Sequence, residues 1–136
     1  MYVCSSVGQF PAPGTIVSVP LFLWHRHRGV VSDRWYRGKP MVISGSGRAG
    51  CVCEEPWDAF ASGHPIRDEG YPSNLPSWEV LRRVRTVIGT PYHLFNWNCD
   101  NVVAVAHGLK HESPQLAGTV ALAGVAALLL AAASTR

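Results

Sequence analysis

A chain of 136 residues amounts to about one domain, long enough to bury a core without disulfide staples. Hydrophobic residues make up 47% of it, which excludes a disordered chain. The formal net charge is only +3, and the arginines are scattered apart from a short cluster at 82–85, so the dense basic patch of a nucleic-acid binder is missing.

Residues 1–13 read as a leader containing Pro11 and Pro13. No basic start precedes an apolar run there, so no secretory signal is expected, and an intracellular setting follows. The four cysteines, Cys4, Cys51, Cys53 and Cys99, are then expected as reduced thiols. IVSV (16–19) reads as a strand closed by Pro20, and RGVVSD (28–33) as a second. RWYRGKP (34–40) reads as a polar hairpin turn and MVIS (41–44) as a third strand. GSGRAG (45–50) is a loop, and CVCEE (51–55) a fourth strand, which completes an antiparallel meander.

Helical patterns follow. EPWDAFASG (55–63) predicts a short helix stopped by Gly63, and residues 64–72 a loop with an edge strand at Ile66–Asp68. SWEVLRRVRTVIG (77–89) predicts a helix capped by Ser77, with Trp78, Leu81, Val84 and Ile88 on its apolar face. Gly89 and Pro91 end it, and the arginines fall on the solvent side. The next helix is expected over Cys99–His107, with Asn98 as N-cap and Gly108 as stop. Finally, LAGTVALAGVAALLLAAA (Leu116–Ala133) carries no charge and follows Ser113-Pro114, a helix-start signal. It is apolar on all faces, long enough to cross a thin hydrocarbon core, and reads as a membrane anchor; a buried terminal helix is the alternative. The fold class is α+β, with a small antiparallel sheet packed on helices. The organisation is a domain over 1–112 and an apolar helix over 113–136.

Cys99 carries the sharpest chemical signal. Unpaired N–H groups at a helix N-terminus favour a thiolate, and they can also receive the oxyanion formed when a thiolate attacks a carbonyl. The competing reading is a small buried hydrophobe at a helix start. A nucleophile needs a base, and histidines stand at 25, 27, 64, 93, 107 and 111. His25 and His27 point to one side of the strand they begin, with Arg26 opposite. His93 sits in a loop, His107 is at the far end of the helix from Cys99, and His64 and His111 read as exposed. A zinc site from His25, His27, Cys51 and Cys53 is a weaker constellation, because structural zinc ligands are normally spaced by two to four residues on a turn. Cys51 and Cys53 read more simply as core residues, and GSGRAG lacks the Lys-Ser/Thr of a phosphate loop.

The order PGTIVSV, HRGVVSD, MVISGSG, CVCEEP, LPSWEVLRRVRTVIGTPY and NCDNVV resembles the lecithin:retinol acyltransferase-like family of circularly permuted papain-like thiol enzymes, to which NlpC-type peptidases are related. The resemblance covers roughly residues 13–108, and its sharpest element is Asn-Cys-Asp-Asn, similar to the family's Asn-Cys-Glu-His. It implies Cys99 as nucleophile and His27 as general base, with His25 as fallback. It implies a permuted papain-like fold, no cofactor and no metal, and a lipid or acyl-ester substrate handled through a thioester. The third polar residue, often a second histidine, falls at Ser44, with Ser46 a nearby candidate and Asn98 beside the nucleophile. Asn101 also departs from the family's histidine. The expected function is that of a phospholipase A-like hydrolase or acyltransferase held at a membrane by Leu116–Ala133. A peptidase or amidase of the NlpC type and a non-catalytic membrane adaptor are the alternatives.

Overall fold

The computed structural model describes residues 10–93 and 98–110. The leader over 1–9, the stretch at 94–97 and the apolar run at Leu116–Ala133 lie outside the described residues. Among the described residues no helix is long and apolar enough to cross a membrane.

Five strands form one antiparallel sheet: β1 (Ile16–Phe22), β2 (His25–Tyr36), β3 (Lys39–Ser46), β4 (Cys51–Pro56) and β5 (Arg67–Gly70). Their spatial order is β4-β3-β2-β1-β5, which places β2 at the centre. The helices are α1 (Trp57–Ala61), α2 (Ser77–Arg85) and α3 (Cys99–His107). Side chains alternate between the two faces of each strand, so each strand feeds two cores. On one face Ile16, Val30, Ile43 and Val52 pack against Val80, Leu81 and Val84 of α2 and Val102, Val103 and Ala106 of α3. On the other, Val17, Val19, Val31 and Val42 pack around Phe60 of α1. The α+β class and the antiparallel meander are as the sequence predicts.

The local differences have physical reasons. Pro20 does not close β1; the strand continues to Phe22, with Pro20 opposite Arg26 and a register irregularity just after it. A proline, which cannot donate to the ladder, is tolerated beside such an irregularity. The stretch 34–40 is mostly strand: β2 runs to Tyr36 and the turn shrinks to Arg37 and Gly38, both left-handed at φ 50° and 76°. A two-residue turn of that hand matches the twist of the flanking strands. β3 likewise runs on to Ser46, and the edge strand forms at Arg67–Gly70.

In α2 the N-cap is Pro76, so Ser77 lies inside the helix and makes no capping bond. Its buried stripe is Val80, Leu81 and Val84. Trp78 is 68% exposed, because its position falls at the outer edge of that stripe, and Ile88 lies beyond the helix end. Arg82 and Arg83 stay on the surface and pair with Glu79, whereas Arg85 turns inward to Asp33 and Glu54. His107 is buried as a clamp: one ring nitrogen meets the Gly14 carbonyl at 2.8 Å and the other the Ser73 hydroxyl at 2.6 Å.

Gly29 on β2 is a point of close approach. A Cβ there would stand 2.5 Å from Val42 Cγ1 and 3.0 Å from Phe60. Both neighbours are fully buried and cannot move aside freely. Gly29→Ala is therefore expected to destabilise the fold by about 1–3 kcal/mol through overpacking, read as a lower urea midpoint with an unchanged m-value.

Candidate active site

Asn98 and Cys99 begin α3 as the sequence predicts. The Asn98 side chain accepts hydrogen bonds from the backbone N–H groups of Asp100 and Asn101, at 3.0 and 3.3 Å. Asn101 answers by accepting from the Asn98 N–H at 3.2 Å, which completes a capping box. The position where the resemblance leads one to expect histidine thus holds the helix end together. Asp100, also buried, pairs with Arg28 of β2 at 3.1 Å. The Cys99 thiol donates to the Arg26 carbonyl at 3.7 Å. The helix end is therefore docked onto β2 on both sides of His27.

His27 itself leaves β2 toward the face that carries α1. It pairs across the ladder with Val19, and its ring centroid lies 5.0 Å from that of Phe60. Cys99 heads a helix on the opposite face. Thus the structure brings the thiol to the backbone beside His27, and neither side chain hydrogen-bonds the other among the described residues. The β2–β3 ladder stops at Val30↔Ile43, so the strands are unpaired beyond it. Gly45, in that gap, has no side chain, and a Cβ there would meet Tyr92 at 3.4 Å and the Asn98 carbonyl carbon at 3.6 Å. Gly45, Tyr92 and His27 all line one cleft of about 440 Å³, with Ser46, Arg48 and Phe60 also in its wall. Gly45 thus stands between the cleft that holds His27 and the N-terminus of α3, no described residue of which lines the cleft.

Ser44 is buried on β3 and offers its hydroxyl to Glu55 at 3.5 Å rather than to an imidazole. Ser46 lines the cleft and accepts from the Ala49 N–H at 3.1 Å. His25 is away from Cys99, stacked between Phe22 and Trp24 at the hairpin tip. Cys51 and Cys53 are half-buried rather than core residues, since β4 is the sheet edge. No cluster of potential metal ligands occurs among the described residues.

The electrostatics differ from the expectation of an activated thiolate. Burial and the neighbouring Asp100 carboxylate push the Cys99 thiol up to about 11, against the opposing pull of the Arg28 backbone. Burial, helped by Arg48, holds His27 down at about 4. Thiol and imidazole are thus both neutral at rest near pH 7, rather than a standing ion pair. Two cleft residues were not singled out as site residues from the sequence, Arg48 in the Gly-rich turn and Tyr92 at the end of GTPY, a stretch that fits the family pattern. Backbone bonds to β4 fix Tyr92, its N–H donating to the Gly50 carbonyl at 2.9 Å.

No family model matches the sequence. The chain is 34% identical over 115 residues to the Homo sapiens protein named phospholipase A and acyltransferase 2, covering 79% of this chain and 70% of that protein. The chain belongs to the lecithin:retinol acyltransferase-like family. A match of that extent contains Cys99 wherever along this chain it begins.

A depressed histidine pKa links stability to pH. Between about 4 and 6.5 the unfolded chain binds a proton at His27 that the folded chain does not. His27 therefore adds no penalty above pH 6.5, and stability falls as pH drops toward 4, by on the order of 2–3 kcal/mol. Urea titrations at pH 7, 5.5 and 4.5 should show a steeper acid loss in the wild type than in His27→Gln; parallel losses would remove His27 as the cause.

Proposed function

We propose that this protein is a phospholipase A-like acyl hydrolase and acyltransferase acting on lipid esters through Cys99. The observation that carries the reading is the likeness to phospholipase A and acyltransferase 2 across a region containing a thiol at a capped helix end. The name of that relative favours lipid esters over the peptide substrates of the NlpC-type alternative. An antiparallel sheet preceding the helix that presents the cysteine is consistent with a permuted papain-like arrangement.

In the proposed cycle, His27 removes the Cys99 proton as the sulfur attacks the ester carbonyl. The sulfur–carbon bond forms, and the carbonyl electrons move to oxygen beside the backbone N–H of Cys99 at the positive end of α3. Collapse breaks the ester bond, and the leaving alkoxide takes the proton from His27. Water, or an amine or hydroxyl acceptor, then attacks the thioester, with His27 receiving its proton and returning it to sulfur. For this step the imidazole has to leave the Phe60 face and turn toward Cys99 past Gly45, whose missing side chain leaves room there. Ser44 and Ser46 lie on the same face of β3 as one another and are candidates for steadying that ring, Ser44 in place of the second histidine. His25 is a poorer base, because its ring is stacked between two aromatic side chains.

With an acyl-labelled phospholipid, intact mass should show an acyl adduct on the wild type and none on Cys99→Ala. Turnover should fall by at least about a thousandfold in Cys99→Ala and His27→Ala, the scale seen when nucleophile or base is removed. Persistence of product in Cys99→Ala sinks the thiol mechanism. The Leu116–Ala133 run, too apolar for a free surface segment, is proposed as the membrane anchor of an intracellular enzyme. Deleting residues 114–136 should shift the protein from the membrane fraction to the soluble fraction; unchanged fractionation refutes the anchor.

A further inference from the structure

The tip of the β1–β2 hairpin breaks two rules of soluble surfaces at once. Leu21, Phe22, Leu23 and Trp24 are consecutive, large and apolar, and they are 56%, 54%, 81% and 49% exposed. A run of four exposed apolar side chains is an error in a soluble surface unless it serves a function. The turn residues between the strands are Leu23 and Trp24, where Gly or Asn is the ordinary choice. Leu23 is held left-handed at φ 51°, a conformation that a leucine adopts only against strain. The hairpin thus accepts backbone strain to place its most exposed apolar side chain at the apex. The aromatic rings below it are stiffened rather than loose: Phe22 stacks on His25 at 4.6 Å, and Trp24 on the same imidazole at 5.5 Å.

The patch is continuous with the cleft. Val19, Pro20 and Leu21 form part of the cleft wall that also holds His27. Arg48, a cationic side chain, and His64 line the same cleft. An apolar apex continuous with a cleft that holds an arginine fits a phospholipid surface, whose acyl chains lie below a layer of phosphates. Indole rings are favoured at that boundary because one edge is apolar and the N–H can stay wet.

We infer that the Leu21–Trp24 apex inserts into the surface of a phospholipid bilayer and holds the cleft mouth against it, so that an ester can pass from the membrane to His27 and Cys99. This rests on the lipid-ester reading for the identity of the substrate, but the insertion is an independent physical property of the apex. It is also independent of the Leu116–Ala133 run, which stays intact in every protein tested.

The test uses the full chain with vesicles of phosphatidylcholine containing a minority of phosphatidylserine. The double variant Leu23→Asn with Trp24→Gly installs a favoured two-residue turn, so the hairpin should fold at least as well as the wild type. Its activity on vesicles should drop by about tenfold, while activity on a monomeric short-chain phosphatidylcholine stays within about twofold. In vesicles with brominated acyl chains, part of the wild-type tryptophan fluorescence should be quenched, and Trp24→Phe should lose that part. Equal quenching in Trp24→Phe overturns the insertion, as does equal vesicle activity in the double variant. An apex that instead joins two copies would appear as a wild-type dimer in vesicle-free sedimentation that the double variant dissociates, and that result also overturns it. If the wild type cleaves neither vesicle nor monomeric phospholipid, the enzymatic reading fails, while the quenching still decides the insertion.

Discussion

The docking of one helix end onto the central strand organises the rest of this molecule. α3 meets β2 through the Arg28–Asp100 ion pair and the Cys99 thiol on the Arg26 carbonyl. Arg28 and Asp100 lie at the boundary between sheet and helix, where moving either element would separate a nearly buried carboxylate from an arginine partner. Because β2 is central, fixing α3 on it also fixes the gap where β3 stops pairing. The thiol takes its position from this docking, and the imidazole from the register of β2 against β1. The Asn98–Asn101 capping box keeps the helix from fraying at the point where this matters.

The charge state of the site follows from the same docking. A helix N-terminus stabilises a thiolate when the sulfur faces free N–H groups with solvent nearby. Here the sulfur is pressed against a strand with Asp100 beside it, and burial outweighs the helix end. The imidazole is likewise kept neutral, with Arg48 nearby. A neutral pair costs less to bury than an ion pair, and it lets the apolar second core around Phe60 extend up to His27. The consequence is a buried thiol that carries no charge at neutral pH.

What could be read from sequence was whatever is encoded by local spacing. The bounds of α3, its Asn98 cap and its Gly108 stop were legible because capping residues act within a few positions. The strands were legible in order but drawn too short, since Pro20 and the charged ends of β2 are carried by pairing with neighbours rather than by their own propensity. Trp78 shows the same limit: its hydrophobicity suggests burial, yet a single helical stripe is too narrow to include it. For the site, Cys99 and His27 were legible as residue types in order along the chain. Their placement on opposite faces of the sheet was not, because it depends on where the β2–β3 ladder stops. Arg48 and Tyr92 were not singled out as site residues; only the backbone bonds of residues 89–92 to the β4 edge bring Tyr92 to the cleft.

The two departures from the family pattern have different physical weights. Asn101 replaces a histidine but has its own role in the capping box, so its substitution is already explained by helix structure. Ser44 has no comparable role. Its hydroxyl makes one long contact with Glu55, a carboxyl that burial raises above its usual range. A serine there cannot hold an imidazolium by charge, so the base must be steadied by other means. The Phe60 ring on one side of His27 and the Arg48 guanidinium in the same cleft both disfavour protonation of the imidazole. A base of low pKa returns its proton readily to a leaving alkoxide, and it accepts one only while the sulfur–carbon bond is forming. In the proposed cycle the imidazolium therefore has to be short-lived, since Ser44 can offer it a hydrogen bond at most and no opposing charge.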